Sequence, residues 1–164
     1  MRPRLDYKKL SPALTRAMLG LQAAIEETEL DPWLLDMVAL RASQINGCAF
    51  CIDVHRRSLE GRGESAQRLA SLDSWEGTGS FTKREQAMLA WTAAVTLVSA
   101  GFVPDELYQE ALKYFTKEEL VNLTFAIAAI NAWNRLNVSF RRVPGGQERS
   151  EFLETAELEY VHSE

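Results

Sequence analysis

Apolar residues recur along this chain at spacings of three and four, with no strong alternation of the kind a strand requires, so the pattern predicts helices with brief punctuation. In "SPALTRAMLGLQAAIEETEL", Ser11 sits at a cap, Pro12 in the first turn, and Leu14, Met18, Leu21 and Ile25 fall on one face. "DPWLLDMVALRASQING" repeats that start with Asp31 and Pro32 and stops at Gly47. The next helix is predicted from Gly47 or Cys48 to Glu60, ending at "GRG", followed by a short one from Ala66 to Leu72 and a loop at "SWEGTGS". Thr82 and Glu85 form a capping box for a helix that ends near Gly101, and Pro104 starts another. Thr116 and Glu119 form a second capping box, opening a helix from Lys117 to near Val138. Its middle, "LTFAIAAINAW", is apolar nearly all round and should be central or lie at a subunit interface. The expectation is an all-α fold with a single domain over 1–140. Residues 141–164 read as a polar C-terminal tail or an arm laid on a neighbouring subunit.

Composition narrows the function classes. A chain of 164 residues, 46% hydrophobic and 25% charged, can bury one core without disulfide staples. A net charge of -5 and short, interleaved basic stretches leave no patch to track a phosphate backbone, so no nucleic-acid partner is expected. No apolar run reaches the roughly 18 residues of a membrane span, and the start does not read as a signal peptide. A cytoplasmic location is expected, where thiols stay reduced and a close cysteine pair is more often catalytic or metal-binding than structural.

Both cysteines and one of the two histidines lie in "NGCAFCIDVH". On a helix starting at Gly47 or Cys48, the residues Cys48, Cys51 and His55 fall near one face. A first-turn cysteine feels the positive end of the helix dipole and free N–H groups, which favour thiolate. His55 one turn on can exchange its proton or stabilise it. Two thiols three residues apart can close a disulfide, one attacking and the other resolving. Two other readings stand beside this one: small core residues, or a metal site with Asp36 or Asp53. A structural zinc site needs four ligands, and the other histidine, His162, lies in the tail.

Elsewhere the chemistry is sparse. Asn131, Asn134 and Arg135 could line a pocket or tie the long helix to its neighbours, and the tie is the favoured role. Ser43 and Gln44 could bond near the thiols or serve helix packing. Asp53 should face away from Cys51 and pair with Arg56 or Arg57. Trp33, Trp75 and Trp91 read as core or interface anchors. "GRGES" and "GTGS" lack the strand-loop-helix setting of a phosphate loop, so no cofactor is expected.

"LRASQINGCAFCIDVH" resembles the core motif of the AhpD-like alkylhydroperoxidases, within the carboxymuconolactone decarboxylase superfamily. "REQAMLAWTAAVTLV" and "VPDELYQEALKYFTKEELVNLTFAIAAINAWNRLNV" extend the resemblance over Leu34 to Phe140. It implies an all-helical bundle, a homo-oligomer (trimer or hexamer), and thiol-dependent peroxidase or disulfide reductase chemistry. Carried over, the second cysteine, Cys51, attacks an organic hydroperoxide or hydrogen peroxide, Cys48 resolves it, and His55 is the family histidine. An external dithiol or redoxin must then reduce the disulfide. The family glutamate twelve residues before the first cysteine is here Asp36, one methylene shorter, so the proton relay either gains a water or breaks. Phe50 stands where the best-described peroxidases carry a histidine, which leaves slower peroxide turnover or another physiological substrate. Decarboxylase members lack the cysteine pair, so lactone decarboxylation is not expected. The alternatives are a thiol–disulfide reductase or redox sensor of the same fold, and a non-catalytic small-molecule-binding member.

Overall fold

The computed structural model describes residues 2–145, which are helical with no strand among them. The long elements are α2 (Pro12–Glu26), α3 (Pro32–Ile45), α4 (Ala49–Gly61), α6 (Lys83–Thr96) and α9 (Lys117–Ser139). Shorter ones are α1 (Tyr7–Leu10), α5 (Ala66–Ala70), α7 (Val98–Gly101) and α8 (Asp105–Ala111). None of the described helices is long and apolar enough to cross a membrane.

The starts follow the chemistry of orphan N–H groups. Asp31 accepts from the Trp33 N–H at 2.8 Å, and both capping boxes, Thr82 with Glu85 and Thr116 with Glu119, are complete. Ser11 occupies the cap of α2, but its side chain makes no capping bond; Pro12 supplies the start instead.

α3 is the hub, packed against α4, α6 and α9. Met37, Val38 and Leu40 from α3 meet Leu59 of α4, Met88 and Leu89 of α6, and Leu123 and Ile127 of α9 in the main core. Full burial of such side chains stabilises by about 1.5–3 kcal/mol each. A second cluster joins Leu19, Ala39, Ala42, Phe50, Ile130 and Trp133 to the two cysteines. Trp91 is buried in the main core, with Trp33 and Trp75 packed against it.

Several expectations change. The helix predicted to run to Gly101 breaks at Leu97 (φ -99°, ψ 27°), giving α6 and α7. Val95, Thr96 and Val98 are weak helix formers, and the Thr96 hydroxyl is held by the Asn131 amide at 3.1 Å. On α2, Leu14 and Leu21 are exposed, and the buried side is Thr15, Leu19 and Ile25. The helix carries two apolar stripes, and contact with α9 selects one. Part of the loop at "SWEGTGS" is a 3-10 turn spanning Leu72–Gly77. The α9 middle is central as expected, with Leu123, Ile127 and Trp133 buried, and Val121 and Phe125 face outward. The start of the polar C-terminal stretch folds back, with the Arg142 N–H donating to the Asn137 carbonyl at 2.9 Å; the stretch from 146 on, with His162, lies outside the described residues.

Candidate functional site

The site begins where α3 turns into α4. Gly47 takes a positive φ (66°), a region costly for side-chain-bearing residues, and this lets the chain reverse within three residues. Cys48 then donates its N–H to the Ser43 carbonyl at 3.0 Å and becomes the N-cap of α4. Its sulfur accepts from the Cys51 N–H at 3.4 Å, the place a serine oxygen usually takes. Cys51 is therefore in the first turn, at the positive end of the helix.

Both sulfurs are free thiols and nearly sealed, Cys48 at 1% and Cys51 at 3% exposure. They differ in what they face. A cavity of about 280 Å³ reaches Cys51 but not Cys48. Its walls include Ile25, Leu35, Phe50, Ile130 and Trp133, with Gln22, Glu26, Asp36, His55, Arg62 and Asn137 as polar members.

His55 lies on α4 beyond Cys51 and borders the same cavity, with no hydrogen bond between the two among the described residues. Its Nδ1 is 2.9 Å from Asp36 Oδ1, so aspartate reaches the imidazole directly and needs no bridging water. The other carboxylate oxygen accepts from Ser58 Oγ at 2.5 Å and Arg62 Nε at 3.2 Å. Burial pushes the Asp36 carboxyl up, but the His55 hydrogen bond and charge and the bonds from Ser58 and Arg62 outweigh it and hold it below its ordinary value.

Towards α9 the partners of Cys51 are neutral. Asn137 of α9 donates Nδ2 to the Cys51 sulfur at 3.2 Å, and its Oδ1 accepts from the Tyr7 hydroxyl at 2.8 Å. The hydrogen bond from Cys48 lowers the Cys51 thiol most, burial opposes it, and Asn137, Asn134 and the His55 charge add to the lowering, which ends at about 6. Cys48 moves the other way: its hydrogen bond to Cys51 and its burial push it up. The negative charge of the pair thus belongs on Cys51, the sulfur with the amide donor and the cavity.

All four sequence-derived candidates, Cys48, Cys51, His55 and Asp36, come together here. Asp53 turns away and accepts from Arg57 at 3.0 Å. Asn131 and Asn134 tie helices: both accept from Asn46, and Asn134 donates to Ser43 at 3.0 Å. No group of three or more His, Cys, Asp or Glu side chains able to hold a metal ion forms among the described residues. Sequence reasoning missed Ser58, Arg62, Asn137, Tyr7 and Arg142. Asn137 was one of several asparagines in "NAWNRLN", and nothing in the spacing of Tyr7 or Arg142 marks them.

Residues 12–94 match a family model described as the carboxymuconolactone decarboxylase family. The uncharacterised protein YdfG of Bacillus subtilis is 31% identical over 139 residues, covering 85% of this chain and 95% of YdfG. The alkyl hydroperoxide reductase AhpD of Bradyrhizobium diazoefficiens is 30% identical over 64 residues, 39% of this chain and 32% of AhpD. A crystal structure from Agrobacterium tumefaciens, of a protein of unknown function described as a candidate antioxidant defence protein AhpD, superposes with a TM-score of 0.86. It is 35% identical and covers 89% of this chain and 100% of its own.

Proposed function

The chain belongs to the carboxymuconolactone decarboxylase family, and from that premise we propose that it is a thiol-dependent hydroperoxide reductase of the AhpD type. The observation that carries this reading is the division of labour between the sulfurs. Cys51 borders the cavity with its thiol lowered to about 6, and Cys48 sits behind it as its hydrogen-bond partner.

Peroxide enters the cavity and the Cys51 thiolate attacks the terminal oxygen. The O–O bond breaks, an alkoxide or hydroxide leaves, and Cys51 becomes a sulfenic acid. The leaving group needs a proton, and His55 is the imidazole on the cavity wall, on the same helix as Cys51, that can supply it. Its Nδ1 is committed to Asp36, so exchange with the cavity uses Nε2. Asp36 stays ionised, so it orients and supports the imidazolium rather than taking the proton itself. Cys48 then condenses with the sulfenic acid, releasing water and forming the Cys48–Cys51 disulfide. An external dithiol or redoxin reduces it, so the balance is hydroperoxide plus dithiol to alcohol, water and disulfide. That cycle suits a reducing compartment such as the cytoplasm. The outward Val121 and Phe125 of α9 favour a homo-oligomer.

Thiol counting by mass spectrometry tests this. Reduced protein receives one equivalent of cumene hydroperoxide and is alkylated within seconds, beside Cys48→Ser and Cys51→Ser. The expected result is loss of about two mass units in wild type, with sulfenic acid trapped in Cys48→Ser and absent from Cys51→Ser. Two free thiols persisting in wild type would overturn the peroxidase reading and turn attention to protein or small disulfides as substrates.

A further inference from the structure

A hydrogen-bond chain runs from the surface to the reacting sulfur, and its direction can be read. Arg142 Nη1 donates to the Tyr7 oxygen at 3.3 Å, the Tyr7 hydroxyl to Asn137 Oδ1 at 2.8 Å, and Asn137 Nδ2 to Cys51 Sγ at 3.2 Å. A guanidinium can only donate. With Arg142 on the acceptor side of the phenol, the phenol's single proton turns to the amide oxygen. With that oxygen taken, the NH₂ end is left for the sulfur. The opposite order, a thiol donating to Oδ1, would aim two donors at the Tyr7 oxygen and leave the phenol proton without an acceptor in this chain of residues. The amide is therefore set to receive S⁻ rather than S–H.

The parts of this chain are held from several directions. Tyr7 packs against Phe140 with ring centroids 5.8 Å apart, and the Arg4 N–H donates to the Phe140 carbonyl at 3.0 Å. The Arg142 guanidinium lies 4.4 Å over the Phe50 ring, between the two cysteines in sequence. Both ends of the described chain thus close on one amide. Burial pushes the Tyr7 phenol above its ordinary value, so it keeps its proton and remains a donor at neutral pH.

We infer that Asn137 is the donor from α9 that, beside Cys48, holds the Cys51 thiolate, and that Tyr7 and Arg142 are positioning residues that keep its donor end on the sulfur. This rests on the reading above, in which Cys51 reacts as a thiolate. It gives that thiolate a support independent of the His55–Asp36 pair, beside the Cys48 hydrogen bond. The titratable and charged groups around Cys51 are Cys48 and His55 on α4, Tyr7 on α1, Glu26 on α2, Asp36 on α3, and Arg62 and Arg142.

The test is the pH profile of Cys51 alkylation by iodoacetamide in the full, reduced chain, with the Cys51 adduct resolved by peptide mass spectrometry. The wild-type midpoint is expected near 6. Asn137→Leu keeps the bulk and removes the donor, and should raise the midpoint by about one unit or more. Tyr7→Phe removes only a hydroxyl at a half-buried position and should raise it by about half a unit. Circular dichroism reports whether each variant folds. A midpoint that stays put or falls in both folded variants would overturn the inference. If Asn137→Leu does not fold, Tyr7→Phe decides alone by the same rule. Alkylation involves no peroxide, so a low midpoint that rises in the variants, together with thiols that survive peroxide, would overturn the peroxidase reading and leave this one standing.

Discussion

Cys51 lies between two flanks built of different material. One is ionic: His55, Asp36, Ser58 and Arg62, all from α3, α4 and the residue that ends α4, with His55, Asp36 and Arg62 on the cavity wall. The other is an amide and a phenol, Asn137 at the cavity wall and Tyr7 behind it, with the Arg142 guanidinium three hydrogen bonds from the sulfur. The difference separates two tasks. Moving a proton needs groups that change charge, and these can be maintained where a cavity gives some solvent. Holding a charge on a sealed sulfur needs a donor that is cheap to bury, and a neutral amide is cheaper than a second ion.

Substitution can pull the two tasks apart. The largest contrast is expected from His55→Ala. Peroxide reduction should fall about 10²- to 10⁴-fold, while Cys51 alkylation shifts far less, because the His55 charge is the smallest of the influences that lower the thiol. Equal losses in stopped-flow peroxide kinetics and in alkylation would collapse the two flanks into one. Asp36→Asn should cost about tenfold in the same kinetics, less than losing the imidazole itself. It should also lower stability to urea by about 1–3 kcal/mol at pH 7. The sign of its pH dependence is fixed. The folded Asp36 carboxyl is held below its unfolded value, so its contribution is complete above that unfolded value and is lost as pH falls through the folded one. The stability gap between wild type and Asp36→Asn should therefore close below about pH 4, and a gap that widens there would be the wrong sign. Arg62→Met should have the smallest effect, within about threefold in peroxide kinetics, because the arginine is substantially exposed and adds a third bond to a carboxylate already held by two others.

His55 and Asp36 of the ionic flank were legible from the chain; Ser58, Arg62 and the neutral flank were not. Cys48, Cys51 and His55 follow from helical spacing within one element, and Asp36 from a fixed offset in the family motif. Asn137, Tyr7 and Arg142 meet Cys51 only because α1 and the end of α9 close over α4, contacts between residues 86 to 135 positions apart. No spacing rule reaches that far.

The same division runs through the fold. Helix starts at Asp31, Thr82 and Thr116, the turn at Gly47 and the all-helical class were written in local pattern, because caps and periodicity act within one or two turns. Which stripe of α2 is buried, where α6 ends, and which end of Asn137 meets the sulfur were decided by packing, where a neighbour distant in sequence chooses among arrangements that the local chain allows equally.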